Sequence, residues 1–128
     1  GLYDDFEVGR LGYLQSLAFR ACRLVVDTGI HDKRWSRERA IQYLKDNTPN
    51  PDGDIEKAIE RYIVYPGQAT AYLIGKLKIM ELRKRAEEKL GAKFDVKGFH
   101  DLLIASGSQP LSILERRVDE WIAARATS

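Results

Sequence analysis

Apolar side chains recur at intervals of three and four residues in six stretches of this chain, the spacing that gives an α-helix one buried face. No stretch shows the strict alternation that is typical of a half-buried strand. The six predicted helices are Phe6–Thr28, Arg37–Asn47, Ile55–Val64, Pro66 to about Leu90, Val96 to just before Gly107, and Leu111 to about Ala124. We therefore expect an all-α fold, an irregular bundle of about six helices with no sheet.

A few residues with special backbone or capping properties set the predicted helix ends. Gly29 is expected to end the first helix in the left-handed conformation, which leaves His31 in a loop. Ser36 is a good N-cap for the second helix. Pro66 is expected at the first position of the fourth helix, because the N–H that proline lacks would be unpaired there.

The fourth helix has an unusual pattern, because it is apolar on nearly every side between Ala69 and Leu82. A helix that is apolar all round is usually buried. One polar row interrupts the pattern, since the spacing of Tyr65, Gln68, Tyr72 and Lys76 places them on one side of a helix. Buried polar groups need partners, so this row either packs against polar groups of the fold or lines a cavity.

The first helix carries charges inside an apolar stretch. Arg23 and Asp27 lie four residues apart and could pair along the helix. One interpretation is a buried or half-buried ion pair, and the other is an arginine that binds a ligand. Cys22 is the only cysteine and lies in the same apolar run, which is typical of an inert core thiol.

Length, composition and charge limit the possible classes of protein. A chain of 128 residues with 44% hydrophobic residues predicts a single helical domain that covers residues 1–128. The net charge of +2 gives no reason to expect nucleic acid as a partner. No apolar window reaches the length of about 18 residues that a membrane helix needs, so no membrane span is expected.

The usual catalytic signatures are missing from the sequence. There is no His-Glu-x-x-His helix, no glycine-rich phosphate loop and no Gly-x-Ser-x-Gly turn. His31 and His100 are far apart in the sequence, so local spacing assembles no metal site. Composition and spacing alone therefore predict a helical domain without naming an activity.

Two motifs resemble a known family. The first is R-L-V-V-D-T-G-I-H, from Arg23 to His31, and the second is Y-x-x-x-P-G-Q-A-x-A-Y-x-x-G, from Tyr62 to Gly75. Together with the run from Phe94 to Ile122, they resemble the C-terminal part of the bacterial family named "domain of unknown function 885". The resemblance covers almost the whole chain.

The resemblance implies a larger parent protein. Members of that family are helical proteins that look like zinc metallopeptidases, and their H-E-x-x-P-G-H-H and E-G-W-A-L-Y helices precede the region present here. Neither motif occurs in this sequence. The chain is thus expected to be a C-terminal fragment of a larger metallopeptidase-like fold. Zinc is expected only in the full-length parent, with no metal ligand in this chain, and the fragment alone is expected to be inactive.

The resemblance also implies roles for the polar residues. His31 and Tyr72 are the candidates for donating a hydrogen bond to the oxyanion that forms when a peptide carbonyl is attacked, and Arg23 could hold a substrate carboxylate. For each of them the alternative is a structural hydrogen bond. The further substrate-facing candidates are Tyr65, Gln68 and Lys76.

A second hypothesis gives the chain no catalytic role. A stand-alone helical interaction module would cover its exposed apolar surface with a partner. That partner is either the missing N-terminal part of the same protein or another copy of the chain, which would form a homo-oligomer. The peptide substrate belongs to the parent, and neither nucleic acid nor a membrane is expected as a partner. Localisation is left open.

Overall fold

The computed structural model describes residues 3–127, and these residues form six α-helices and one short 3-10 helix. No strand occurs between residues 3 and 127, so the all-α prediction is confirmed. The helices are α1 Glu7–His31, α2 Arg37–Asn47, α3 Asp52–Val64, α4 Gln68–Leu90, α5 Val96–Ile104 and α6 Leu111–Thr127, with the 3-10 helix at Gly91–Lys93.

The chain divides into two compact units, and the division falls within α4. The first unit ends at Ile74 and the second begins at Gly75. Each unit has its own hydrophobic core and is described separately below. The expectation of a single domain over the whole length stays a prediction.

The first unit packs α1, α2, α3 and the start of α4 around one core. Its buried side chains are Cys22, Val26, Ala40, Leu44, Ile55, Ile59, Tyr62 and Ala69. The predicted bounds of α2 are confirmed because both ends carry local signals. The Ser36 hydroxyl accepts a hydrogen bond from the Arg39 backbone N–H at 3.2 Å, and Thr48, which follows the helix, is extended.

The second unit packs the rest of α4 with α5 and α6. Its core consists of Leu82, Ala86, Leu90, Phe99, Leu114, Val118 and Ile122. Asp95 caps α5 by accepting a hydrogen bond from the Lys97 backbone N–H at 3.0 Å. The apolar stripe of α6 repeats every four residues and faces this core.

The prediction that Gly29 ends α1 is wrong. The helix continues through Gly29 and ends at His31, with Asp32 as its C-cap. A side chain on Gly29 would lie 2.6 Å from the Trp35 ring, which packs directly on the helix backbone there. Gly29 therefore permits a close tertiary contact, and His31 lies in the last turn of α1 instead of in a loop.

The predicted start and burial of α4 are also wrong. Residues 65–67 form a turn in which Gly67 has a φ of +79°, so the helix starts at Gln68 and not at Pro66. Tyr72 is 55% exposed in the first unit, and in the second unit Leu77 and Met80 are 55% and 56% exposed. Each core therefore buries only some of the apolar side chains of α4. The others lie on sides of the helix that no described residue covers.

Candidate functional site

Three polar residues of α1 lie on one side of the helix and reach the segment between α3 and α4. Arg23, Asp27 and His31 are spaced four residues apart, which stacks them along one face. We call them the α1 polar stripe. Each contacts a different part of the segment from Tyr62 to Tyr72.

Arg23 lies against two tyrosine rings. Its guanidinium carbon is 5.4 Å from the centroid of the Tyr62 ring and 4.9 Å from that of the Tyr72 ring. Such contacts stabilise a cation over an aromatic face. Its Nε is buried without a hydrogen-bond partner. The ion pair between Arg23 and Asp27, one of the two interpretations of the sequence, is not found among residues 3–127, because the Asp27 oxygens accept from the Gly67 backbone N–H.

Asp27 holds the turn that precedes α4. Its side chain is buried, and its two oxygens accept from the Gly67 backbone N–H at 3.0 and 3.2 Å. A buried carboxylate needs such donors, because it has left water. Gly67 adopts a positive φ, which is costly for a residue with a Cβ. Asp27 therefore fixes where α4 starts relative to α1 within the first unit.

His31 binds a backbone carbonyl that α3 leaves free. Its Nε2 lies 2.8 Å from the Tyr62 oxygen. The residue four positions after Tyr62 is Pro66, which has no N–H to donate. Because a carbonyl only accepts, Nε2 carries the hydrogen and donates it. This geometry supports a structural hydrogen bond for His31, and Nδ1 is the ring atom left for any other partner.

Tyr72 presents its phenol at the surface beside Arg23. No described residue makes a hydrogen bond with its hydroxyl, and the residue is 55% exposed. The hydroxyl is thus free to donate to a bound molecule. Of the two proposed donors, Tyr72 keeps its donor unused, whereas His31 uses Nε2 within the fold.

Gln68 and Lys76 lie in α4 at four-residue spacing from Tyr72, as expected, whereas Tyr65 lies before the helix. Tyr65 precedes α4 and is 57% exposed, so it does not extend the row along the helix as expected. The Gln68 Oε1 accepts a hydrogen bond from Arg61 Nε at 3.1 Å. Lys76 is exposed and belongs to the second unit.

An open groove of about 380 Å³ lies between α1 and α3, next to Arg23. Its charged lining consists of Arg23, Lys57, Arg61 and Asp54, while Phe19, Ala58 and the Tyr62 ring supply apolar surface. Asn50 also lines it, and its Oδ1 is buried without a hydrogen-bond partner. The groove therefore offers an excess of positive charge together with an unused amide acceptor.

Burial controls the titration of two groups in this unit. It raises the pKa of the Tyr62 hydroxyl, against the smaller lowering effect of the Arg23 charge. It also raises the pKa of the Cys22 thiol, which is a free cysteine in the core. Tyr62 and Cys22 are therefore both neutral near pH 7.

The described residues do not fit a catalytic zinc ion. Within residues 3–127, no group of three or more His, Cys, Asp or Glu side chains converges on a point where a metal could bind. In the same part of the chain, no helix combines the length and the apolar character that crossing a membrane requires.

Several residues of this region were missed by sequence reasoning. The i, i+4, i+8 spacing of the α1 polar stripe is a signal that the sequence contains. The predicted helix end at Gly29 placed His31 in a loop, so His31 was not recognised as part of this spacing. Tyr62 appears in the sequence only as the first residue of the second motif, which does not indicate its contact with Arg23. Asn50, Lys57 and Arg61 join the groove through the packing of α3 on α1, for which the sequence carries no local signal.

Three comparisons place the chain among known proteins. The family model described as "Bacterial protein of unknown function (DUF885)" matches residues 1–118. No curated protein matches. The chain is similar to a crystal structure described as "the putative lipoprotein from Colwellia psychrerythraea", with 48% sequence identity and a TM-score of 0.94. The match covers 97% of this chain and 21% of that one, so this chain spans about a fifth of the length of the protein it resembles.

The family match covers most of the chain and includes the α1 polar stripe, the turn at Gly67 and Tyr72. The structural match over nearly the same length, at 48% identity, agrees with it. The chain belongs to the DUF885 family of bacterial proteins.

Proposed function

We propose that this chain is the C-terminal helical part of a zinc-dependent, peptidase-like hydrolase, in which it forms part of the wall of the substrate cleft. The observation that carries the proposal is the state of Arg23. Its guanidinium is held by two tyrosine rings, makes no ion pair with any described residue, and has a buried Nε without a partner. Buried polar atoms without partners are rare and call for an explanation. A bound substrate group that accepts a hydrogen bond from Arg23 would be such an explanation.

In this proposal the residues of the chain bind and orient the substrate. Arg23 offers a planar set of donors that suits a carboxylate. Tyr72 offers a hydroxyl that can donate to a substrate oxygen. His31 positions the end of α3 through its bond to the Tyr62 carbonyl. A zinc ion, when bound, would supply a Lewis acid for hydrolysis, and its ligands would come from outside the residues described here.

The test uses the full-length protein that carries this chain at its C-terminus. We expect bound zinc and hydrolysis of peptides, measured by metal analysis and by mass spectrometry of a mixed peptide pool. Tyr72→Phe removes one donor and should lower kcat/KM about tenfold or more. Tyr13→Phe is the control, because Tyr13 is a half-exposed tyrosine of α1 whose ring stacks on Tyr3, whereas the Tyr72 ring lies against Arg23. Zinc-loaded protein that cleaves no peptide would contradict the proposal, as would unchanged kcat/KM in Tyr72→Phe.

The 128-residue chain alone provides a second test. We expect it neither to hold zinc at one ion per chain nor to hydrolyse peptides, because the described residues offer no three-ligand group. Inductively coupled plasma mass spectrometry after dialysis measures the zinc. Tight zinc at one ion per chain would show that the ligands lie within this chain.

Exposed apolar residues favour a second candidate function, a self-associating interaction module. In the first unit, Val8, Leu11 and Leu14 of α1 are each at least half exposed. In the second unit, Leu77 and Met80 of α4 are exposed to the same degree. Exposed apolar residues in such numbers favour coverage by another chain. Light scattering of the 128-residue chain should show a dimer or larger species, whereas a monomer at high micromolar concentration would exclude self-association.

A further inference from the structure

We propose that the groove between α1 and α3 binds the free C-terminal carboxylate of a peptide. The inference rests on the proposed peptidase-like function and adds a substrate class to it, namely peptides whose C-terminus is unblocked. It is carried by three features of the groove: its charge, the state of Arg23, and the buried amide oxygen of Asn50.

The charge of the groove favours an anion. Arg23, Lys57 and Arg61 contribute three positive charges to the lining, and Asp54 contributes one negative charge. Arg61 donates through Nε to Gln68, which orients its guanidinium while the two terminal nitrogens remain to donate. The excess of positive charge attracts a carboxylate and a phosphate alike. The planar donors of Arg23 and the Asn50 amide oxygen are the features that distinguish the two.

Arg23 is prepared for a planar partner. The Tyr62 and Tyr72 rings hold its guanidinium, so less side-chain freedom is lost when a ligand binds. Arginine matches a carboxylate through two parallel N–H···O bonds. Arg23 forms no ion pair with a described carboxylate, so its pair of N–H donors remains available to a ligand.

Asn50 distinguishes a peptide from a simple anion. Its Oδ1 is a buried acceptor with no donor among the described residues. A peptide with a free C-terminus carries a backbone N–H close to its carboxylate, and that N–H can donate to Oδ1. Phe19 and Ala58 line the same groove and offer apolar surface to the last side chain of the peptide. Inorganic phosphate uses neither of these features.

The experiment is a calorimetric titration of the 128-residue chain with three probes. They are N-acetyl-Leu-Leu with a free carboxylate, its C-terminal amide, and inorganic phosphate. We expect the free acid to bind saturably and at least about tenfold more tightly than the amide or phosphate, because only the acid offers a planar carboxylate and an N–H together. Equal binding of acid and amide would overturn the proposal, and so would phosphate binding as tightly as the acid.

Matched variants locate the site. Arg23→Met should weaken binding of the acid about tenfold or more, because it removes the planar donor pair. Arg39→Met is its control, since Arg39 also stacks on an aromatic ring, at 4.3 Å from the Trp35 centroid, but lies outside the groove lining. Lys57→Met changes an exposed residue with little risk to folding and should weaken binding about threefold. Unchanged affinity in both Arg23→Met and Lys57→Met would place the peptide elsewhere.

The inference and the proposed function fail in different ways. If the full-length protein cleaves free-acid and C-terminally amidated peptides equally well, the carboxylate site is excluded while the hydrolase proposal stands. If the 128-residue chain binds the free acid selectively but the zinc-loaded full-length protein cleaves nothing, the hydrolase proposal fails and the carboxylate site stands.

Discussion

Asp27 shows how one buried carboxylate can define a local structure. Its side chain is buried, and its hydrogen bonds come from one backbone N–H. That N–H belongs to Gly67, whose conformation turns the chain from α3 into α4. The position of Tyr72 beside Arg23 depends on this turn, so Asp27 acts on the candidate site through the backbone.

Asp27→Ala should destabilise the protein by about 1–3 kcal/mol, because the Gly67 N–H loses its partner in a buried place. Asp27→Asn keeps an acceptor oxygen and should cost less than Asp27→Ala. Urea unfolding followed by circular dichroism measures both. Thr28→Ala is the control, since Thr28 is exposed and its hydroxyl bonds only to carbonyls of its own helix. A cost for Asp27→Ala no larger than for Thr28→Ala would show that the Gly67 contact contributes little.

The Cys22 thiol should react slowly with alkylating reagents. Burial raises its pKa, so at pH 7–8 the reactive thiolate is scarcer than in an ordinary cysteine. We expect iodoacetamide to alkylate Cys22 far more slowly in the native protein than in urea, with the native rate still rising above pH 9. Rapid labelling at pH 7 without denaturant would contradict the buried position.

The helix ends show which signals are local and which are not. Ser36 caps α2 as the sequence predicts, and Asp95 caps α5 in the same way, because an N-cap is decided by a side chain and a backbone N–H two or three residues later. Gly29 misled the prediction because a glycine that ends a helix and a glycine that admits a neighbouring ring look alike in sequence. Only the packing of Trp35 distinguishes them.

Two glycines of α1 give a matched test of the interpretation that Gly29 admits the Trp35 ring. A Cβ at Gly29 would meet the Trp35 ring at 2.6 Å, whereas a Cβ at Gly12 would meet nothing within 4 Å. Gly29→Ala should therefore destabilise the protein by about 1–3 kcal/mol through overpacking. Gly12→Ala should stabilise it by up to about 1 kcal/mol through helix propensity. Thermal unfolding measures both, and a stabilising Gly29→Ala would mean that the ring does not pack there.

Charged residues join α4 and α6 in the second unit. Arg85 donates to Glu81 and Glu115, each at 2.7 Å, and to Asp119 at 3.1 Å. The hydrogen bond from Arg85 is the main cause that lowers the pKa of Glu115, and the one from Lys78 is the main cause that lowers the pKa of Glu81. A carboxyl whose pKa is lowered by folding stabilises the fold above its ordinary pKa, and this contribution is lost as the pH falls through the folded value.

The stabilisation from this network should therefore be present at neutral pH and disappear as the pH falls below about 4.5. Arg85→Gln should lower the midpoint of thermal unfolding at pH 7, and the difference from wild type should shrink toward pH 3. Arg83→Gln is the control on the same helix, because among residues 3–127 Arg83 pairs only with the exposed Glu87 one turn away. A difference for Arg85→Gln that persists unchanged at pH 3 would exclude the ionic cause.

Across the molecule, the sequence predicts where the helices lie better than it predicts which of their side chains are buried. Six helices follow from periodicity and capping, which are local properties. The burial of α4 does not follow from such local properties. An apolar pattern shows which side chains avoid water, but it does not show whether this chain supplies the residues that cover them. Met80 is the clear case, since it lies in an apolar run and is 56% exposed.

The candidate site was predicted in part. The resemblance to the family indicates Arg23, His31 and Tyr72, and the structure places Arg23 against the Tyr72 ring and His31 against the Tyr62 carbonyl. Their partners were not predicted, because the contacts of Asp27 with Gly67 and of His31 with Tyr62 join residues more than 30 positions apart. Such pairings come from the packing of α1 against α3 and the turn that follows.

The central claim is that Arg23 contacts the substrate of a peptidase-like hydrolase through its planar guanidinium. The most direct measurement is kcat/KM of the full-length protein on a free-acid peptide, compared between Arg23→Lys and Arg39→Lys. Lysine keeps the positive charge and loses the planar pair of donors, so Arg23→Lys should lower kcat/KM about tenfold or more while Arg39→Lys leaves it near wild type. Equal kcat/KM in both variants, or no hydrolysis by the zinc-loaded wild type, would contradict the claim.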